Sequence, residues 1–548
     1  MTLLVDLFGF LSVVLRGCVL ALGAFTLGGV VFRHFVLPVA VGMGPAGPGL
    51  ALRLARFQRG TTLGVAVLAS LALSLEVSVL MGTVGVHWTS AITAPFAVAE
   101  ALVISFAVVL ALITRAERPW RAVEIGAAVA LLGGVVITTH ALGRLEGRSL
   151  LFAMSTLHQA AGAAWIGGLP FFLMALAASL PPAARAAIGQ RFSQVCVVAV
   201  LTIFVTAAVK TLYYIGEIPA VYGTAYGLMT STKAMLFVAL LGFGLANFLA
   251  VRRMAADERV ARRVRHFVEV ELALGLAVFF IAGSLTSLPP AVDLPHDRAT
   301  WSMVVERVLT PRPPRLSSPD YAELAYANEQ ARIDQLVAEE REEAALAFTP
   351  GSGILSPRTA GDIAWSEYNH NWSGLFILVI GVLALIAKAP GGQWARHWPL
   401  LFITLGIFVA IRSDPETWPL GGIGFFESFR DPEVAQHRLA ALLVCLFGIF
   451  EWQVRMGRLR RPWAADVFPI SNVLGGIMLL THSHNLENFR EALLIEMSHI
   501  PLALFGIAAG CARWLELRCD SPLRERAGWV WPLCFVAIGL VLLAYRES

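Results

Sequence analysis

Ser90-Ala-Ile-Thr-Ala-Pro-Phe-Ala-Val-Ala-Glu100-Ala-Leu-Val-Ile-Ser-Phe-Ala-Val-Val-Leu110-Ala-Leu-Ile-Thr114 holds a single charged side chain. A run of this length spans a hydrocarbon core of about 30 Å as a helix. Only a helix or a closed barrel satisfies its backbone there, and an unbroken apolar run with no period-2 alternation reads as helix. Comparable runs recur along the 548 residues, near 8–32, 61–82, 121–142, 150–177, 193–214, 229–251 and 267–288. After a polar interval they return near 371–388, 397–412, 435–453, 467–483, 492–516 and 528–545. With 57% hydrophobic and 15% charged residues, the chain reads as an all-α, polytopic helical membrane protein of about 14 transmembrane helices, eight and six.

The composition breaks at 289–370, a Pro-rich and then highly charged interval. This predicts a membrane domain over 1–288, an extramembrane segment over 289–370 and a second, His-rich membrane domain over 371–548. The charged run from Pro319 to Phe348 has the pattern of an exposed amphipathic helix, either a lid on the outer face or a solvated connector. Lys and Arg alternate strongly between loops. One set, beginning with Arg33, Arg53, Arg56 and Arg59, carries 24, and the opposite short loops carry five. The positive-inside rule puts the first set in the cytoplasm and both termini outside, in the periplasm of a bacterial inner membrane. The first apolar run lacks a small-residue cleavage site and reads as a retained span. The net charge of +4 comes from loop arginines and implies no nucleic-acid partner. Six cysteines without a C-x-x-C read as small hydrophobes.

Seven histidines fall at or near the outer edge of the spans: His140, His158, His370, His437, His482, His484 and His499. Imidazole is the commonest transition-metal ligand and also an axial ligand of haem. In the fifth span Met154 precedes His158 by four residues and shares its face, and Met478 stands in the same relation to His482. A thioether beside an imidazole favours Cu(I) over hard cations. The expectation is two metal sites, one per half: His140 with Met154 and His158, then His370, His437, Met478, His482, His484 and His499. The bland alternative is histidines that hydrogen-bond across helix interfaces, and it is the reading given to His34, His266 and His397 on the cytoplasmic side. Glu76, Glu100, Lys210 and Lys233 form a second set of costly intramembrane charges, expected to pair Glu100 with one of the lysines.

The run His158-Gln-Ala-Ala-Gly-Ala-Ala-Trp165-Ile-Gly167-Gly168-Leu169 resembles the His…Trp-x-Gly-Gly-Leu helix of the copper resistance protein D family. Arg191-Phe-Ser193, Tyr226-Gly227, Lys233 and Asn247 follow in the family's order, while Thr206-Ala207 departs from its common Thr-Gly. The resemblance covers the first half, most specifically about 155–250, and the second half is similar to C-terminal extensions of some longer members. It implies an inner-membrane copper-handling protein, a transporter or binding protein rather than an enzyme, that receives copper at the periplasmic face. A periplasmic copper carrier of the CopC kind is then an expected partner. Two alternatives remain open: a b-type haem protein using the same histidines, and a copper chaperone for a membrane oxidase. No phosphate-cradling G-x-x-x-x-G-K-[ST] loop and no H-E-x-x-H pair is present, which argues against nucleotide-driven or zinc-hydrolytic chemistry.

Overall fold

A computed structural model of the chain describes residues 4, 7–39, 46–114, 120–139, 144, 147–309, 312–319, 360–430, 432–481 and 489–546. Among these there is no β-strand, only an isolated bridge between Thr417 and Ile423. The residues group into two compact units, Phe8–Arg298 and Ala299–Ser548. Thirteen helical segments are long and apolar enough to cross a membrane. Where the fourth of about fourteen spans was expected, the helix Arg121–Ile137 has 17 residues and is not among these thirteen described segments. The chain is thus an all-α, multi-pass membrane protein.

The first unit contains α1 (Phe8–Val31), α2 (Gly47–Val84), α3 (Pro95–Ile113), α4 (Arg121–Ile137), α5 (Arg148–Trp165), α6 (Leu169–Leu176), α7 (Pro182–Tyr214), α8 (Ala225–Val251) and α9 (Glu258–Ser287). Local chemistry sets their ends. Thr224 caps α8 by accepting from the Gly227 amide at 3.0 Å, and Asp257 caps α9 from Arg259 N at 2.8 Å. Pro95 and Pro182 open α3 and α7, where no amide is needed. The second unit contains α10 (Ala360–Ile386), α11 (Leu401–Arg412), α12 (Pro432–Arg455), α13 (Ala464–Thr481), α14 (Phe489–Arg518) and α15 (Leu523–Leu543). There α15 packs between α10 and α14, while α11 packs on α12.

The packing is that of a protein solvated by lipid. Along α2 the small residues Ala66, Ala69 and Ala72 point inward, and Leu52, Leu63, Val67 and Leu71 point out. On α7 the outward set is Val198, Leu201, Phe204, Val205 and Leu212. Lipid rewards exposed Leu and Phe as much as buried ones, so close packing of small residues holds the helices together. The closest approach is at the α5–α6 turn. A Cβ on Gly167 would lie 2.0 Å from the Ala24 carbonyl oxygen of α1, and one on Gly28 would lie 2.2 Å from the Gly167 carbonyl carbon. The second unit instead has an aromatic core of Trp398, Phe402, Phe468, Trp531 and Phe535.

Gly167→Ala puts a methyl against backbone that cannot yield. It is expected to destabilise by at least about 1–3 kcal/mol and to lower the yield of monodisperse protein in detergent. Gly162→Ala, one turn earlier and with nothing within 4 Å, serves as the neutral control. Equal behaviour of the two variants in thermal unfolding would refute the backbone contact.

Candidate functional site

His158 stands on α5 with its Nδ1 2.9 Å from the Thr206 hydroxyl of α7. That hydroxyl donates its one proton along its own helix, to the Thr202 carbonyl at 2.7 Å. With its proton placed there the hydroxyl accepts from Nδ1, which leaves Nε2 with the lone pair of the neutral ring. Met154 lies one turn toward the outer end of α5, half-buried. His140, its expected companion, falls outside the described residues.

Lys210 and Lys233 gather near His158, close enough for both charges to act on the imidazole. Lys210 is one turn beyond Thr206 on α7, and its ammonium sits 6.0 Å from the centre of the Tyr214 ring. Neither lysine has an acidic partner among the described residues. Glu100 pairs elsewhere: Arg16 Nη1 donates to its Oε1 at 2.7 Å, while Arg16 Nη2 reaches the Thr138 carbonyl at 2.8 Å. Glu76 is near both members of that pair. The basic partner of Glu100 is thus the arginine of the first span and not a lysine, because Arg16 reaches across from α1 to the face that α3 buries.

Two further intramembrane networks escaped the sequence reading. Glu271 on α9 accepts from the Asn247 amide of α8 and from Trp165 Nε1 of α5, the latter at 3.4 Å. Its carboxylate thus joins Trp165 and Asn247, both read as motif residues, into one buried cluster. The signal was faint because Glu271 closely follows the charges Arg262, Arg263, Arg265 and Glu269 and looks like their continuation. The second network surrounds Glu124, fully buried at the start of α4. Arg33 Nη1 lies 2.6 Å from its Oε1, His34 Nε2 2.8 Å from its Oε2, and Gln58 Nε2 3.0 Å from Oε1. Arg33 and His34 are presented by a π-helical turn, Phe32–Val36, that ends α1. His266 bonds Glu269 on its own helix at 2.9 Å, and His397 accepts from Trp452 Nε1 of α12 at 3.0 Å.

In the second unit His370 Nδ1 donates to the Ser366 carbonyl at 2.8 Å, and its ring stacks on Tyr545 with centroids 3.9 Å apart. The His499 ring lies 6.4 Å from that of His370. Glu496, buried one turn before His499, has an Oε2 with no partner among the described residues. His437 Nδ1 donates to Asp414 Oδ1 at 2.7 Å. Met478 is half-buried on α13, whereas His482 and His484 lie outside the described residues. Among the described residues no three His, Cys, Asp or Glu side chains converge as a metal-holding group.

Residues 186–285 match the family model described as copper resistance protein D. Over this segment, 100 of the chain's 548 residues, the chain is similar to that family. The CopD segment contains Thr206, Lys210, Lys233, Asn247 and Glu271, and His158 faces it from α5. Copper transport protein CutJ of Bacillus subtilis (strain 168) is 26% identical over 162 residues, 29% of this chain. The chain spans 29% of the length of that relative. No solved structure matches the chain.

Arg16 is the cation bonded to the buried Glu100. Arg16→Met leaves that carboxylate without it, with an expected loss of about 3–5 kcal/mol. The double variant Arg16→Met/Glu100→Met should recover much of that loss in thermal unfolding, and a strictly additive double variant would contradict the pairing.

Proposed function

We propose that the protein is a membrane copper-handling protein whose outer-edge imidazoles receive Cu(I) at Nε2 and pass it into or across the membrane. One observation carries the reading. Each outer-edge histidine with a resolved side-chain bond spends its Nδ1 on a fixed acceptor: Thr206 for His158, the Ser366 carbonyl for His370 and Asp414 for His437. Metal-binding imidazoles are oriented in this way, by a hydrogen bond from the ring nitrogen that does not bind the metal. The CopD segment and the likeness to a protein named for copper transport support copper as the cargo.

Lys210 and Lys233 sharpen the choice of ion. Neither lysine near His158 pairs with an acid among the described residues, so this surrounding offers nothing to a hard cation held by charge alone. Cu(I) gains covalent stabilisation from imidazole and from a thioether such as Met154, so it tolerates a positive surrounding better. The first site in this reading is His158 with Met154 and His140. The second uses His370 and His499, joined by His437, Met478, His482 and His484. Loop charge puts both sites on the periplasmic side of a bacterial inner membrane, where a CopC-like carrier would deliver copper. The protein acts as a carrier or binder and not as a catalyst.

Full-length protein titrated with Cu(I) against a chromogenic chelator tests this. His158→Ala should lose one tight site, and Thr206→Val should weaken it by about 10–100-fold, as loss of an orienting partner does. Unchanged binding in His158→Ala would overturn the first site. A Soret band in the purified protein would replace copper with haem b. Proteoliposome uptake separates transport from chaperoning, since binding without flux fits delivery to an oxidase.

A further inference from the structure

We infer that the basic-loop end of the second unit holds a site for a phosphate group, best supplied by an anionic phospholipid headgroup. The inference does not rest on the copper reading. At this end α10, α12, α13, α14 and α15 converge on Trp398 and Trp531. The Arg455 guanidinium lies 4.5 Å from the Trp398 ring centre and 5.1 Å from that of Trp531, and its Nε donates to Glu451 at 2.6 Å. Glu516 accepts from Trp531 Nε1 at 2.7 Å and from Arg513 Nη1 at 2.5 Å, and it also pairs with Lys388.

Two features remain after these bonds are assigned. Three cations, Lys388, Arg455 and Arg513, face two carboxylates, Glu451 and Glu516, so the cluster carries an uncompensated positive charge. Arg455 Nη2 and Arg513 Nε are buried and have no acceptor among the described residues. A buried guanidinium N–H without an acceptor is expensive, and the deficit in acceptors has the same sign as the deficit in negative charge. A phosphate oxyanion corrects both, since its oxygens accept from guanidinium edges and bring the missing charge. The guanidinium groups and Lys388 are not sealed off: their side chains keep 18%, 15% and 22% exposure.

The setting favours a headgroup over a free ion. The cluster lies where helices end and where tryptophans collect, with Trp452 and Trp463 nearby in sequence and Arg458 stacked on Trp452 at 4.6 Å. Arg460 and Arg461 follow in the same loop. Loop charge makes this the cytoplasmic side, and basic pockets between helices there recognise anionic lipid headgroups.

The test is thermal unfolding of delipidated full-length protein in detergent, with phosphatidylglycerol, phosphatidylcholine or inorganic phosphate added. Phosphatidylglycerol should raise the midpoint, and phosphatidylcholine should not. Arg513→Gln should weaken the apparent affinity for phosphatidylglycerol by about tenfold or more, the usual effect of losing a charge-assisted hydrogen bond. Lys388→Gln, at the exposed rim, should weaken it severalfold and carries the test if Arg513→Gln does not fold. An equal response to inorganic phosphate, lost in the variants, supports the phosphate site with a soluble source. No response to either compound, or one undiminished in both variants, overturns the site.

Discussion

The contact between Gly167 and α1 decides where the chemistry of the first unit can stand. At this turn α5 and α6 meet the backbone of α1 with no side chain between them. The four residues Trp165-Ile-Gly-Gly168 spread outward from it to almost every neighbour. Trp165 reaches Glu271 on α9 and packs on Phe237 of α8. Ile166 fills the space over Gly275 of α9, and Phe192 of α7 covers Gly168. In a bilayer, where burying Leu or Phe gains little over leaving it in lipid, a knot of small residues is a principal source of cohesion. His158 lies about two turns above that knot on the same helix. Its bond to Thr206 is therefore set by a rigid frame, which is what a ligand-presenting imidazole requires.

The second constraint is the cost of charge in a hydrocarbon interior. The chain meets it in two ways. Arg16–Glu100, Glu124 with Arg33 and His34, and Glu271 with Asn247 and Trp165 are satisfied inside the protein. Each ties helices that are distant in sequence, and each loses most of its benefit if one partner is removed. Lys210 and Lys233 are handled otherwise, left near each other and near His158 without an acid among the described residues.

How much of this was legible in the sequence follows from the range of the interactions concerned. Span length is a local property, so the helices could be read directly. Even the short apolar run at 397–412 proved helical, because the 3₁₀ segment Gly392–Leu400 extends it to Arg412. Pairings were not legible. Glu100 and Arg16 are separated by 84 residues, and nothing in an apolar run names the helix that will face it. Arg16 was hidden by the apolar length around it, Glu271 by the run of charges just before it. His34 was read as a histidine that hydrogen-bonds across a helix interface, and it does bond Glu124, but the π turn that carries it there leaves no mark in composition.

The same reasoning bears on why the histidines were visible while their geometry was not. An i,i+4 Met–His pair is a one-helix property and can be read from spacing, but the state of an imidazole depends on what its other nitrogen touches. For His158 that partner is Thr206 on a different helix, and the Thr hydroxyl settles the tautomer only because its own proton is spent on Thr202. A valine there would pack as well and leave Nδ1 unassigned, so the ring could turn or protonate at either nitrogen. His370 and His437 reach the same result with different acceptors, a carbonyl and a carboxylate. For His158 and His437 the bond is a property of contacts between elements that no single span contains, whereas His370 finds its acceptor one turn back on its own helix.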